Sequence, residues 1–143
     1  MIAYRVVRRQ YADLNGEGAR LYGGRFNPPG IPAVYTSQSI ALAILEILVH
    51  VDKSEVPDDY VVMAIRFAGR RISRQVGTTA MNRLTMDQFR TSFYSRPVLR
   101  VASVIVPREF NFILLPEADG FDATVKWIEP LNFDRRLLAV ITS

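Results

Sequence analysis

The sequence predicts a single α+β domain spanning residues 1–143, with central mixed or antiparallel sheets and flanking helices. Strand-like runs crowd the chain from Tyr60 onward, led by Tyr60–Phe67 and Val98–Val106. The first half holds one short helix that is apolar on almost every side. The 143 residues suffice for one core, and no repeat, low-complexity tract or linker divides them.

In chain order, Ile2–Val7 alternates well enough for a first strand, with Tyr4 and Arg5 on opposite faces. Gln10–Arg20 is polar and holds Gly16 and Gly18, which reads as a loop, and Leu21–Tyr22 reads as a short strand. Phe26-Asn27-Pro28-Pro29-Gly30 is turn chemistry, with prolines setting φ and glycine allowing reversal. Ala33–Thr36 is the next strand, and Ser37 or Ser39 can cap the helix expected over Ser39–Val51. Ile40, Leu42, Ile44, Leu45, Ile47, Leu48 and Val49 cover all its faces, so it is expected to be buried.

Lys53–Asp59 is a charged loop. Tyr60–Phe67 is a strand, and Arg71–Val76 can form another after Gly69. Thr85–Ser95 is helical by the spacing of Met86, Phe89 and Phe93, and Pro97 stops it. Val98–Val106 is the clearest strand and Pro107 closes it. Strands follow at Asn111–Leu115 and Ala123–Ile128, with a last short one at Leu137–Ile141.

Composition excludes several classes. With no cysteine there is no disulfide framework and no thiolate metal site, and a single histidine rules out a histidine-based zinc cluster. No signal peptide or membrane-spanning run is visible, which fits a cytoplasmic setting. The net charge of +4 is uneven: residues 60–108 carry nine arginines against Asp87 alone. Such a basic middle suits an anionic partner, or is simply a solvated surface.

Glu46 is the first chemical candidate. It is the one charged residue in the apolar helix, with His50 one turn on, and a carboxylate there needs either a partner or a task. It is either paired structurally or faces a cleft. Arg25, beside the unhindered backbone of Gly24, can clamp a diphosphate bidentately or cap a turn. Tyr35 can stack on a flat heterocycle or pack in the core. Ser103 is a hydroxyl on a face otherwise made by Leu99, Val101 and Ile105; it either bonds a backbone neighbour or points into the same cleft as Glu46. No Ser-His-Asp relay is suggested. A convergent set of this kind suits cleavage of an N-glycosidic bond, with the carboxylate facing an oxocarbenium-like transition state.

Three blocks carry a family resemblance: Gly16-Glu17-Gly18-Ala19-Arg20-Leu21-Tyr22-Gly23-Gly24-Arg25-Phe26-Asn27, then Ala33–Ser37, then Ala41–Glu46. Val98–Pro107, Glu109–Phe112 and Phe133–Leu137 extend it. The chain resembles the RES domain family, toxins of bacterial toxin–antitoxin pairs named for an arginine, a glutamate and a serine.

That resemblance places the family's arginine at Arg25, its tyrosine at Tyr35, its glutamate at Glu46 and its serine at Ser103. It implies a fold similar to that of ADP-ribosyltransferases, with NAD as substrate and no metal. Arg25 would hold the phosphates, Tyr35 would stack near nicotinamide and Glu46 would engage the nicotinamide ribose. Ser103 would position NAD or order Arg25, while Arg5 and Gly24 complete the binding set. The implied partner is an Xre-type antitoxin blocking the cleft, in a complex where homo-oligomers can form. Many relatives carry a tryptophan-bearing segment between the positions of Gly77 and Pro97; this chain has its one tryptophan at Trp127.

The leading expectation is an NAD-consuming toxin that releases nicotinamide to water or phosphate. An ADP-ribosyltransferase with a protein target is second. A basic nucleic-acid-binding module is a distant third, because the arginines are scattered and no reader motif occurs.

Overall fold

The computed structural model describes residues 1–69, 72–73, 77 and 79–139. Its strands are β1 (Ile2–Arg8), β2 (Val34–Ser37), β3 (Tyr60–Phe67), β4 (Val98–Ala102), β5 (Phe110–Leu114) and β6 (Ala123–Pro130). Its helices are α1 (Glu17–Tyr22), α2 (Ile40–Leu48) and α3 (Met86–Phe93). The strands make one six-stranded sheet in the order β4-β5-β2-β1-β3-β6. Every ladder between them is antiparallel.

β3, between β1 and the edge strand β6, is buried at every residue except Arg66, because both faces of the strand are covered. Val61, Met63, Ile65 and Phe67 share one face with Ala3, Val7, Val34 and Phe112. On the opposite face, Tyr60 and Val62 pack with Val6 beneath Ala43 of α2. A further cluster joins Phe89 of α3 to Leu99, Val101 and Ile113. α3 starts with a reciprocal capping box, in which Thr85 Oγ1 accepts from Gln88 N–H and Gln88 Oε1 accepts from Thr85 N–H.

The sheet has one weak seam. β1 and β2 are in register only at Tyr4 and Ser37, whereas β1 and β3 pair along seven residues. Beyond Tyr4–Ser37 the two strands part, and a cleft opens there.

Several expectations are corrected. Gln10–Arg20 is not all loop, and Leu21–Tyr22 is not a strand: a 3-10 turn spans Arg9–Tyr11 and α1 takes Glu17–Tyr22. Asn15 Oδ1 accepts from Glu17 N–H at 2.9 Å, and Glu17 pairs with Arg20 along the helix. Gly16, at a φ of 66°, is the N-cap residue, so one of the two glycines starts the helix instead of opposing it.

The apolar helix is shorter than expected and only half covered. Ser39 caps it by accepting from Leu42 N–H at 3.1 Å. Leu42, Ala43 and Leu48 are buried, but Leu45 is 39% and Val49 59% exposed. A helix lying on one sheet face has only one side to bury, whatever its composition.

The strand expected to Val106 stops at Ala102, because Ser103 takes two backbone N–H groups into its own turn. Of Arg71–Val76, Arg71 and residues 74–76 lie outside the described residues, and Ile72 makes an isolated parallel bridge to Val98. The strand expected at Leu137–Ile141 is also corrected. Leu137 and Leu138 belong to a 3-10 turn over Arg135–Leu138, whose start Asp134 caps, and residues 140–141 lie outside the described residues.

Candidate active site

The cleft at the β1–β2 seam has two connected parts. A wide one of about 950 Å³ runs past Arg5, Gly24, Arg25, Tyr35 and Glu46. A narrower one of about 290 Å³ lies under α2 and shares Arg5, Tyr35, Glu46, His50 and Asn111 with it. The wide part is of the size that holds a drug-sized or cofactor-sized molecule. Arg5, Gly24, Arg25, Tyr35 and Glu46 are therefore brought together on one cavity. Ser103 is not: it is buried behind the wall.

Glu46 projects from the last turn of α2 and is half-buried. Its Oε1 accepts from Ser103 Oγ–H at 2.7 Å and from Asn111 Nδ2–H at 2.7 Å. Among the described residues, Oε2 accepts no hydrogen bond and Glu46 makes no ion pair. One oxygen is clamped, and the other is left for the cleft.

Ser103 reaches Glu46 because its turn aims it there. Its oxygen accepts from Ile105 N–H at 3.1 Å and Val106 N–H at 3.0 Å, which leaves its one proton for the carboxylate. The two readings of Ser103 turn out to be compatible: it bonds backbone neighbours and meets Glu46. The hydrogen bond goes to Glu46 rather than to Arg25.

Tyr35 stands on β2 with its hydroxyl already committed. It donates to Asn27 Oδ1 at 2.7 Å and accepts from Phe26 N–H at 2.9 Å. Burial drives this hydroxyl well above the usual tyrosine range, with the Phe26 bond opposing, so it stays protonated. Only the ring is left for a ligand. Gly24 lies against it: a methyl group on Gly24 would overlap the Tyr35 hydroxyl and crowd Asn27 Oδ1. This explains the glycine by close approach rather than by backbone conformation.

Arg25 is exposed on the rim, its guanidinium carbon 5.8 Å from the centre of the Phe26 ring. Arg5 lies deeper and donates to the carbonyls of Tyr11 and Asp13 at 3.4 and 3.2 Å. Burial lowers its pKa and the Asp13 charge partly restores it; arginine nonetheless remains a cation at neutral pH. His50, just past the helix, is exposed at the mouth.

Two residues that hold the site escaped the sequence reading. Asn27 is fully buried, and its amide donates to the carbonyls of Ala19, Pro28 and Ile31, tying the Gly24–Asn27 turn to α1. Asn111 joins Glu46 to Ser37. A signal for Asn111 was present: it is an amide within the apolar run FNFILL, an oddity of the same kind as Ser103.

The RES domain model matches residues 2–136. The chain belongs to the RES domain family. It is 35% identical to "Toxin Res" of Photorhabdus laumondii, over 96% of this chain and 97% of that protein. It is 32% identical to "Prs ADP-ribosylating toxin" of a Sphingobium species, over 88% and 87%. With kinship of that extent, the chain is a RES-family toxin.

The crystal structure of the M. tuberculosis MbcT–MbcA toxin–antitoxin complex contains a chain of the same fold, with a TM-score of 0.64 at 18% identity, over 96% of this chain and 86% of that one. Among the described residues of this RES domain, no group of histidine, cysteine, aspartate and glutamate could hold a metal ion, and no helix is long and apolar enough to cross a membrane.

Proposed function

We propose that this RES domain cleaves the nicotinamide–ribose bond of NAD, with water or phosphate as acceptor. The observation that carries the reading is Glu46, with one oxygen gripped by two donors and the other open to the cleft. As the bond between the ribose anomeric carbon and the pyridinium nitrogen breaks, its electron pair leaves with nicotinamide and positive charge develops on the ribose. A fixed carboxylate facing that charge stabilises it without first reorganising. The open oxygen can also accept from a ribose hydroxyl. The acceptor oxygen then adds to the anomeric carbon and its proton passes to solvent.

In this reading Arg25 and Arg5 hold the diphosphate, and guanidinium geometry suits that pairing. Tyr35 contributes its ring face, since its hydroxyl is spent, and Gly24 lets that ring sit close. Ser103 acts through Glu46. The setting is the cytoplasm, and an Xre-type antitoxin closes the cleft.

A second reading has a specific observation behind it: the Sphingobium relative is named for ADP-ribosylation. In that case a protein side chain takes the place of water or phosphate at the same carbon.

The test is NAD concentration over time with purified protein, comparing wild type with Glu46→Gln, which keeps shape and removes charge. Wild type is expected to consume NAD and Glu46→Gln to lose about 10³-fold in rate while staying folded. If folded wild type leaves NAD intact, hydrolysis and phosphorolysis fail; transfer of label from NAD to a lysate protein would then support the second reading.

A further inference from the structure

Asn111 lies on β5 directly opposite Ser37 of β2, the residue at which the β1–β2 seam is closed. Its side chain uses both ends. Nδ2 donates to Glu46 Oε1 at 2.7 Å, and Oδ1 accepts from Ser37 Oγ–H at 2.7 Å. Chemistry fixes this direction. A carboxylate only accepts, so the amide must turn its NH₂ toward Glu46 and its carbonyl toward Ser37. Ser37 is buried, and its hydroxyl holds the carbonyl in place and so sets which way the amide points.

We propose that Asn111 is a positioning residue for Glu46, keyed by Ser37. Ser103, in the turn after β4, and Asn111, on β5, converge on the same oxygen and so restrict rotation of the carboxylate. A single donor would let Glu46 pivot about one bond. Two donors fix the plane of the group and so the direction in which Oε2 faces. The same device links the seam to the chemistry: the sheet closes at Ser37, and the cleft's carboxylate is registered to that point through one amide. This inference rests on the reading of Glu46 as the group that meets the breaking bond.

The experiment compares wild type, Asn111→Asp, Ser37→Ala and Glu46→Gln, singly and combined. Asn111→Asp keeps the shape and the acceptor for Ser37 but replaces the donor by a like charge. It is expected to lower kcat for NAD consumption about 10²-fold, as a misplaced catalytic group does, with KM within about threefold of wild type. In the Glu46→Gln background it should cost nothing more, which a merely structural role would not produce. Ser37→Ala should lower kcat about tenfold through the loosened amide. If Asn111→Asp does not fold, Ser37→Ala and its combination with Glu46→Gln carry the same comparison.

Unchanged kcat in the folded variant, or an equal loss in both backgrounds, overturns the proposal. Crystal structures of wild type and the folded variant give a readout independent of activity. Should wild type leave NAD intact, the proposed reaction fails and Asn111 is judged on those structures. Glu46 displaced from Ser103 would sustain its positioning role, and Glu46 unmoved would overturn it.

Discussion

The hydroxyl of Ser103 and the carboxylate of Glu46 are 57 residues apart in sequence and 2.7 Å apart in space. The serine is held by two backbone N–H groups and therefore has one proton to give, which goes to the glutamate. A turn in the sheet thereby aims a helix carboxylate.

Ser103→Ala should therefore do two things. It strands the N–H groups of Ile105 and Val106 and should lower stability by about 1–3 kcal/mol. It also leaves Glu46 with Asn111 alone and should cut NAD turnover about 10²-fold. Urea unfolding and a turnover assay separate the two. Unaltered turnover would mean that Asn111 suffices.

Tyr35→Phe leaves Asn27 Oδ1 and Phe26 N–H without their partner, at a cost of about 1–3 kcal/mol at neutral pH. Because burial raises the hydroxyl's pKa in the fold, its contribution is whole below about pH 10, where the unfolded chain begins to ionise. It drains away as pH rises further. The stability curves of wild type and variant should thus converge in strong alkali, as urea midpoints against pH will show.

Gly24→Ala should push the Tyr35 hydroxyl off Asn27. We expect destabilisation of about 1–3 kcal/mol and weaker NAD binding, read by thermal melting and calorimetry. A variant with normal stability and affinity would show that the turn yields easily.

Arg25→Lys keeps the charge but loses the planar fork. If Arg25 grips the diphosphate, KM for NAD should rise about tenfold with kcat little changed. A fall in kcat at constant KM would instead place Arg25 at the reacting centre.

Arg8 donates to both oxygens of Asp59, at 2.9 Å each, and holds its pKa below the usual carboxylate range. The pair ties the end of β1 to the start of β3. A depressed carboxylate stabilises the fold above the unfolded pKa of about 4 and ceases to as pH falls through the folded value. Asp59→Asn should melt a few degrees lower at pH 7 and match wild type at about pH 2, since exposed pairs contribute modestly.

Strand existence was readable wherever the pattern was long. Tyr60–Phe67 folds with the expected boundaries because eight residues of apolar and β-branched character leave little else to form. Short polar stretches misled: Glu17–Tyr22 became a helix that starts at Gly16, with the Asn15 bond to Glu17 N–H and the Glu17–Arg20 ion pair beside it, so a glycine that reads as loop is the N-cap. Ser103 was readable as an anomaly and Asn111 was passed over, though both are polar groups set among apolar neighbours.

The sequence by itself determined the mixed architecture, a serine-capped start to an apolar helix, the lone carboxylate in that helix and the resemblance to the RES family. Those depend on local pattern and on residues lying close together in the chain. Only the tertiary structure decided which side of that helix is covered, where the sheet parts, and which donors meet Glu46. Each of these depends on residues brought together across dozens of positions, such as Ser37 with Asn111 and Glu46 with Ser103. A hydrogen bond is set by distance and direction in space, and no spacing along a chain encodes either.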